Sequence, residues 1–222
     1  MKRFVVGLGA LAFAALLIGA LLEPLMANTP GGVDLRVAVA AHMTASGVDH
    51  PVTAVLLNFR GYDTLLEIAV LLLALIVILA IGIDPECDRP RAANPVLQAM
   101  ARLAAPLMVV VAVYLLWAGA FRPGGAFQAG AVLAAAAVLL HLTGLLPSWQ
   151  LPGLKLRWGL TAGFLIFLAV AAALIPQGAL LQYPPAQAGK LILLIEAGLT
   201  VSLGLILAGL FLFLSRDPGD DA

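Results

Sequence analysis

The stretch LILLIEAGLTVSLGLILAGLFLFL, residues 191–214, decides the fold. It holds one charged residue, Glu196, among apolar and small side chains. A helix rises about 1.5 Å per residue, so crossing a hydrocarbon core of about 30 Å takes about 20 mostly apolar residues. Residues 191–214 meet that length. Five further stretches do the same or nearly so: 4–22, 64–83, 103–121, 126–146 and 158–175. Every Lys and Arg lies outside these stretches, and of the twelve acidic residues only Glu67 and Glu196 lie inside. The pattern predicts an all-α, polytopic membrane protein of about six transmembrane helices.

Composition agrees. The 222 residues are 63% hydrophobic and 11% charged, against about 25% charged in ordinary soluble domains. The mean hydropathy is +1.07. Twelve basic and twelve acidic residues leave zero net charge, without the basic face that a nucleic-acid partner requires. The single cysteine, Cys87, can form neither an intrachain disulfide nor an iron–sulfur site alone. His42 and His50 lie in a loop, and no paired ligands sit inside the expected bundle, so no metal, cofactor or enzyme activity is expected.

Turn chemistry sets the boundaries. Pro24, Pro85, Pro147 and Pro176 stand at or beyond the ends of four spans, because proline cannot continue the helical ladder. Arg122-Pro123-Gly124-Gly125 leaves room only for a tight turn, which makes the third and fourth spans an antiparallel hairpin. The loop 24–63 is long, and its apolar second half, 50–59, reads as a short interfacial helix. Arg60-Gly61-Tyr62-Asp63 then turns the chain into the second span, with Asp63 or Thr64 as its cap. Residues 84–102 form a cytoplasmic linker and 215–222 a solvated tail. Eight basic residues fall on one side of the membrane and four on the other, which places both termini in the cytoplasm of the cell (inner) membrane. Lys2-Arg3 before a 19-residue apolar run reads as a retained helix rather than a cleaved signal.

Two carboxylates are the sharpest candidates for chemistry. A charge in hydrocarbon costs at least a few kcal/mol, so it is paired, buried in protein or functional. Glu67 and Glu196 each stand a few residues inside a span, in the same half of the membrane, with Gln128 at comparable height. The competing reading is that both reach headgroups. His141, near the inner end of the fourth span, suits either a proton relay or an interfacial position. Gly124, Gly125, Ala126, Ala129 and Gly130 let another helix approach closely. Gly159 with Gly163, Gly198 with Ser202, and Gly204 with Ala208 make further small-residue faces, enough to suggest contacts with other subunits.

Two regions resemble one family, the multi-subunit Mrp-type sodium/proton antiporters with the related membrane-bound hydrogenases. Residues 55–68, with Asn58-Phe59-Arg60-Gly61-Tyr62-Asp63-Thr64 and Glu67, are similar to the C-terminal part of the large antiporter subunit or of the hydrogenase E subunit. Asn58 stands where that family has Asp, and Leu66 where it has Gly. Residues 119–130, with Pro123-Gly124-Gly125-Ala126-Phe127-Gln128-Ala129-Gly130, resemble the signature of the antiporter's MnhB/MrpB-like subunit, with Ala120 in place of a His. Glu196-Ala197-Gly198 is similar to the last helix of that smaller subunit. The resemblance implies a fusion of two subunit-like parts, 1–83 and 103–214, joined by the linker.

It also implies an accessory membrane subunit of an antiporter complex, moving sodium ions and protons with other subunits. Glu67, Glu196, Gln128 and His141 are its ion-path candidates. Arg60, Gly61, Asp63, Pro123, Gly124, Gly125, Phe127, Gly130, Gly159 and Gly163 are its motif and packing residues. No span contains a lysine, which argues against a complete transporter. The alternative is a purely structural membrane-arm subunit of a related hydrogenase or redox complex.

Overall fold

The computed structural model describes residues 11–19, 22, 34–81, 94–146, 153–178 and 180–214. Pro24, Pro85, Pro147, the tail 215–222, most of the linker and part of the expected first span lie outside these. The chain divides into two compact units, up to Ala38 and from Val39 onward. In the first, residues 11–19 are helical. Asp34 opens the next helix, its Oδ1 accepting the amides of Arg36 at 2.9 Å and Val37 at 3.4 Å.

The described residues contain helices and turns. Helix α1 runs over Leu35–Ser46, and the short α2 over Pro51–Ala54 continues into a π-helical turn, Val55–Phe59. Helix α3 spans Gly61–Ile81, α4 Pro95–Ala118, α5 Ala126–Leu142, α6 Leu154–Ala173 and α7 Ala188–Leu214. A 3-10 turn, Ile175–Gln177, follows α6 at Pro176. Helices α3, α4, α6 and α7 are long and apolar enough to cross a membrane, and α5 is a shorter apolar helix. The chain is a multi-pass membrane protein.

Helix α7 is the hub. It packs against α5, α6 and α3, while α4 packs chiefly on α5. The periodic positions Ile192, Ile195, Leu199, Leu203 and Ile206 are almost wholly enclosed, as expected of a central helix whose apolar residues recur every three to four positions. Close approach rests on small residues. A Cβ on Gly163 of α6 would collide with Ser202 Oγ and lie 2.7 Å from the carbonyl oxygen of Gly198 and 2.9 Å from Leu199 Cα. A Cβ on Gly130 of α5 would lie 2.9 Å from Leu203 Cβ. The faces that suggested contacts with other subunits are thus used inside this chain, because α7 is surrounded on several sides. Helices α3 and α4 instead keep large apolar side chains outward, with Leu103 80% exposed.

Local structure departs from expectation in several places; helix α6, for one, starts at Leu154 rather than 158 and takes in Lys155 and Arg157. Helix α4 starts at Pro95, inside the expected linker, because the Asn94 side chain accepts the Val96 amide at 2.9 Å and proline suits the first helical position. Helix α5 stops at Leu142, short of 146, where Thr143 and Gly144 turn the chain. Neither Asp63 nor Thr64 is the residue before α3, which begins at Gly61. The Asp63 carboxylate pairs with Arg60, and the Thr64 hydroxyl donates to the Leu56 carbonyl at 2.6 Å. The segment 50–59 is short and helical but does not lie free: Thr53, Ala54 and Leu57 are buried against the bundle.

Candidate functional site

The turn between α4 and α5 fixes the site. The Leu115 carbonyl accepts the amides of Gly119 at 3.2 Å and Gly125 at 2.8 Å, and the Ala118 carbonyl accepts those of Phe121 and Arg122. This compact turn delivers Gly125 at φ +106°, a backbone conformation that L side chains rarely adopt. Helix α5 then starts at Ala126, with Phe127 half-buried in its first turn.

Glu196 of α7 points at that helix start. Its carboxylate Oε1 accepts the Ala126 amide at 3.4 Å, and a Cβ on Gly125 would come within 2.7 Å of the same oxygen. Glycine at 125 therefore does two things: it permits the turn and leaves space for the carboxylate. Glu196 is 3% exposed. The start of a helix carries free amides and a partial positive charge, which offsets part of the penalty of burying an anion. The Glu196 backbone carbonyl accepts the Thr200 hydroxyl at 2.8 Å.

A cavity of about 30 Å³ adjoins the carboxylate, its lining including Thr53, Leu56, Thr64, Gln128 and Leu199. A water needs about 10–15 Å³ of such space and two to four polar partners. By that measure the cavity has room for one or two waters. Neighbouring segments are held together beside it. The Thr53 hydroxyl donates to the Gly119 carbonyl at 2.5 Å, and the amides of Asp49 and His50 both donate to the Ala120 carbonyl at 3.0 Å. The loop before α2 is thereby fastened to the α4–α5 turn.

Glu67 lies elsewhere. Thr64, Ile68 and Leu75 of α3 are buried, whereas Glu67 is exposed. One residue along a helix is a rotation of about 100°, so position 67 turns away from the face that position 68 presents to the bundle. Glu67 lines an open groove of about 430 Å³ together with Val55, Leu56, Arg60, Asp63 and Val70. Arg60 neutralises Asp63 there. Among the described residues the Glu67 carboxylate makes no hydrogen bond or ion pair.

The structure brings Glu196, Gln128, Gly124, Gly125 and Phe127 to one cavity and Glu67, Arg60 and Asp63 to the groove. Gly61 sits under Leu181, and Pro123 completes the α4–α5 turn. Gly130, Gly159 and Gly163 are packing positions against α7. His141 stands in the last turn of α5, about 22 Å of helix rise from Ala126, and belongs to neither compartment. Thr53 and Thr64 are polar cavity residues that the sequence does not mark as site residues, Thr64 being expected only as a cap. Isolated threonines in apolar sequence carry no signal until folding sets them beside a carboxylate. Outside the spans, burial pushes the Tyr183 phenol well above its ordinary range, so it stays neutral.

A family model described as "Domain related to MnhB subunit of Na+/H+ antiporter" matches residues 96–209. No curated protein matches the chain. Its fold is similar to a chain of the membrane-bound sulfane sulfur reductase, an archaeal respiratory membrane complex. That match has a TM-score of 0.70 and 23% identity over 98% of this chain and 100% of that one. It is also similar to a chain of the Mrp complex from Dietzia sp. DQ12-45-1b, with a TM-score of 0.66 and 21% identity over 100% of this chain. There it spans 27% of the matched chain's length.

Proposed function

Because this chain belongs to the family of domains related to the MnhB subunit of Na+/H+ antiporters, we propose that it is an accessory membrane subunit of a cation/proton antiporter complex. In this reading Glu196 is an exchange group for protons or sodium ions, and Glu67 is a second carboxylate on the same path. The observation that carries it is the Glu196 carboxylate, 3% exposed inside a membrane span beside a cavity of about 30 Å³. A hard cation favours oxygen ligands, which the Glu196 carboxylate, the Gln128 amide and the threonine hydroxyls supply. Residues 1–83 and 103–214 act as two subunit-like parts around the linker. Both termini face the cytoplasm, which puts Glu196 and Glu67 in the outer half of the membrane.

The test is cation-dependent proton exchange by the intact complex in membrane vesicles. Glu196→Gln keeps the shape of the side chain and removes its charge, and exchange is expected to fall at least tenfold, a loss of about 1.4 kcal/mol in transition-state stabilisation. If exchange survives both Glu196→Gln and Glu67→Gln in an assembled complex, the chain is a structural membrane-arm subunit instead.

A further inference from the structure

Two compartments, each with its own carboxylate, meet at one residue. Leu56 lines the open groove at Glu67 and also the smaller, more enclosed cavity at Glu196, and among the described residues it alone is common to both linings. Leu56 is 38% exposed, with one side toward the groove.

The backbone at Leu56 is held in an unusual way. It belongs to the π-helical turn Val55–Phe59, closed by the Arg60 amide donating to the Val55 carbonyl at 2.8 Å. Single π-turns are uncommon and occur frequently at functional sites. Two hydroxyls pin the segment, Thr64 to the Leu56 carbonyl at 2.6 Å and Thr53 to the Gly119 carbonyl at 2.5 Å. Such a turn has an alternative: relaxing to α-helical spacing removes the extra residue from the turn and rotates the side chains that follow.

We propose that Leu56 is a gating residue, an apolar plug that separates the Glu67 groove from the Glu196 cavity and whose displacement joins them by water. The proposal rests on the reading of the two carboxylates as parts of one ion path. In the conformation described, the isobutyl side chain stands at the boundary of the two linings. Rotating it aside lets water, and with it a proton or a sodium ion, pass from the groove, where Glu67 has no neutralising partner among the described residues, to Glu196. Thr64 acts as a positioning residue that holds the plug through its backbone.

The Ala126 amide, which donates to Glu196, reports water in the cavity. Its hydrogen–deuterium exchange is to be followed in the intact complex in lipid nanodiscs, with a peptide covering 203–208 of α7 as the control for folding. Leu56→Ala is expected to speed exchange at Ala126 about tenfold and to leave the control protected. Thr64→Val frees the Leu56 carbonyl without thinning the wall and is expected to act in the same direction. Unchanged exchange at Ala126 in both variants overturns the gate. Equal acceleration of the control in both also overturns it, because the opening is then a general loosening. If amide exchange responds while Glu67→Gln and Glu196→Gln leave cation/proton exchange intact, the gate stands as a water route and the ion-path reading fails. If transport needs both carboxylates and amide exchange is indifferent to Leu56 and Thr64, the ion path stands and the gate fails.

Discussion

Helices α3 and α7 look alike as sequence, each a long apolar run with one glutamate in its first third, yet they occupy opposite situations. Helix α7 is enclosed by α5, α6 and α3 and carries its glutamate inward to meet the start of α5. Helix α3 touches the bundle along one side only, through Thr64, Ile68 and Leu75, and presents its glutamate to a groove. The difference comes from small residues. Glycine recurs along α7 and on the facing surfaces of α5 and α6, where backbones must approach, while α3 has large aliphatic residues beyond its first turn. An intramembrane carboxylate therefore signals a special site, but its environment depends on which helix can be surrounded.

The comparison breaks most easily at the α6–α7 contact. Gly163→Leu has no space to enter and is expected to cost about 3 kcal/mol or more, enough to prevent recovery of folded chain. Size-exclusion profiles and thermal melts of the purified complex check this, with Leu103→Ala on the outward face of α4 as the silent counterpart. Next is Gly125→Ala. A Cβ there meets both a strained φ and the Glu196 carboxylate, for an expected loss of about 1–3 kcal/mol and a lower melting temperature. If Gly125→Ala melts like the unaltered protein, the close fit of turn and carboxylate is refuted. Thr53→Val leaves the Gly119 carbonyl without its hydroxyl donor, and the expected change is about 1 kcal/mol, measured by denaturation in detergent. The smallest effect belongs to Glu67→Gln, which is expected to shift stability by less than about 0.5 kcal/mol because the group is exposed. A large destabilisation there would mean that Glu67 is enclosed like Glu196.

Much of the fold was legible because the hydrocarbon core imposes one simple rule, that charges stay out. The hairpin was legible from Arg122-Pro123-Gly124-Gly125, where four residues leave no room for anything but a turn. The start of α4 is also written in the chain, as Asn94 capping and Pro95 at the first helical position, but Arg102, a charge inside the helix, sets the expected boundary too late. The π-turn at Val55–Phe59 was not legible. Its extra residue is stabilised by Thr64 and by packing on the bundle, neither of which local propensity records. Depth along a helix could be counted from the sequence, so Glu67 and Glu196 were placed at similar levels. Their facing could not be compared, since that requires knowing which side of α3 meets the bundle.

Position 120 illustrates a different kind of freedom. Asp49 and His50 are both fastened through the Ala120 backbone carbonyl, an atom that every amino acid supplies. The link between the loop before α2 and the α4–α5 turn thus tolerates exchange of the side chain, and a histidine in the same place would make the same two bonds. Sequence drift at residue 120 can add or remove a titratable group while the attachment it sits on remains as it was.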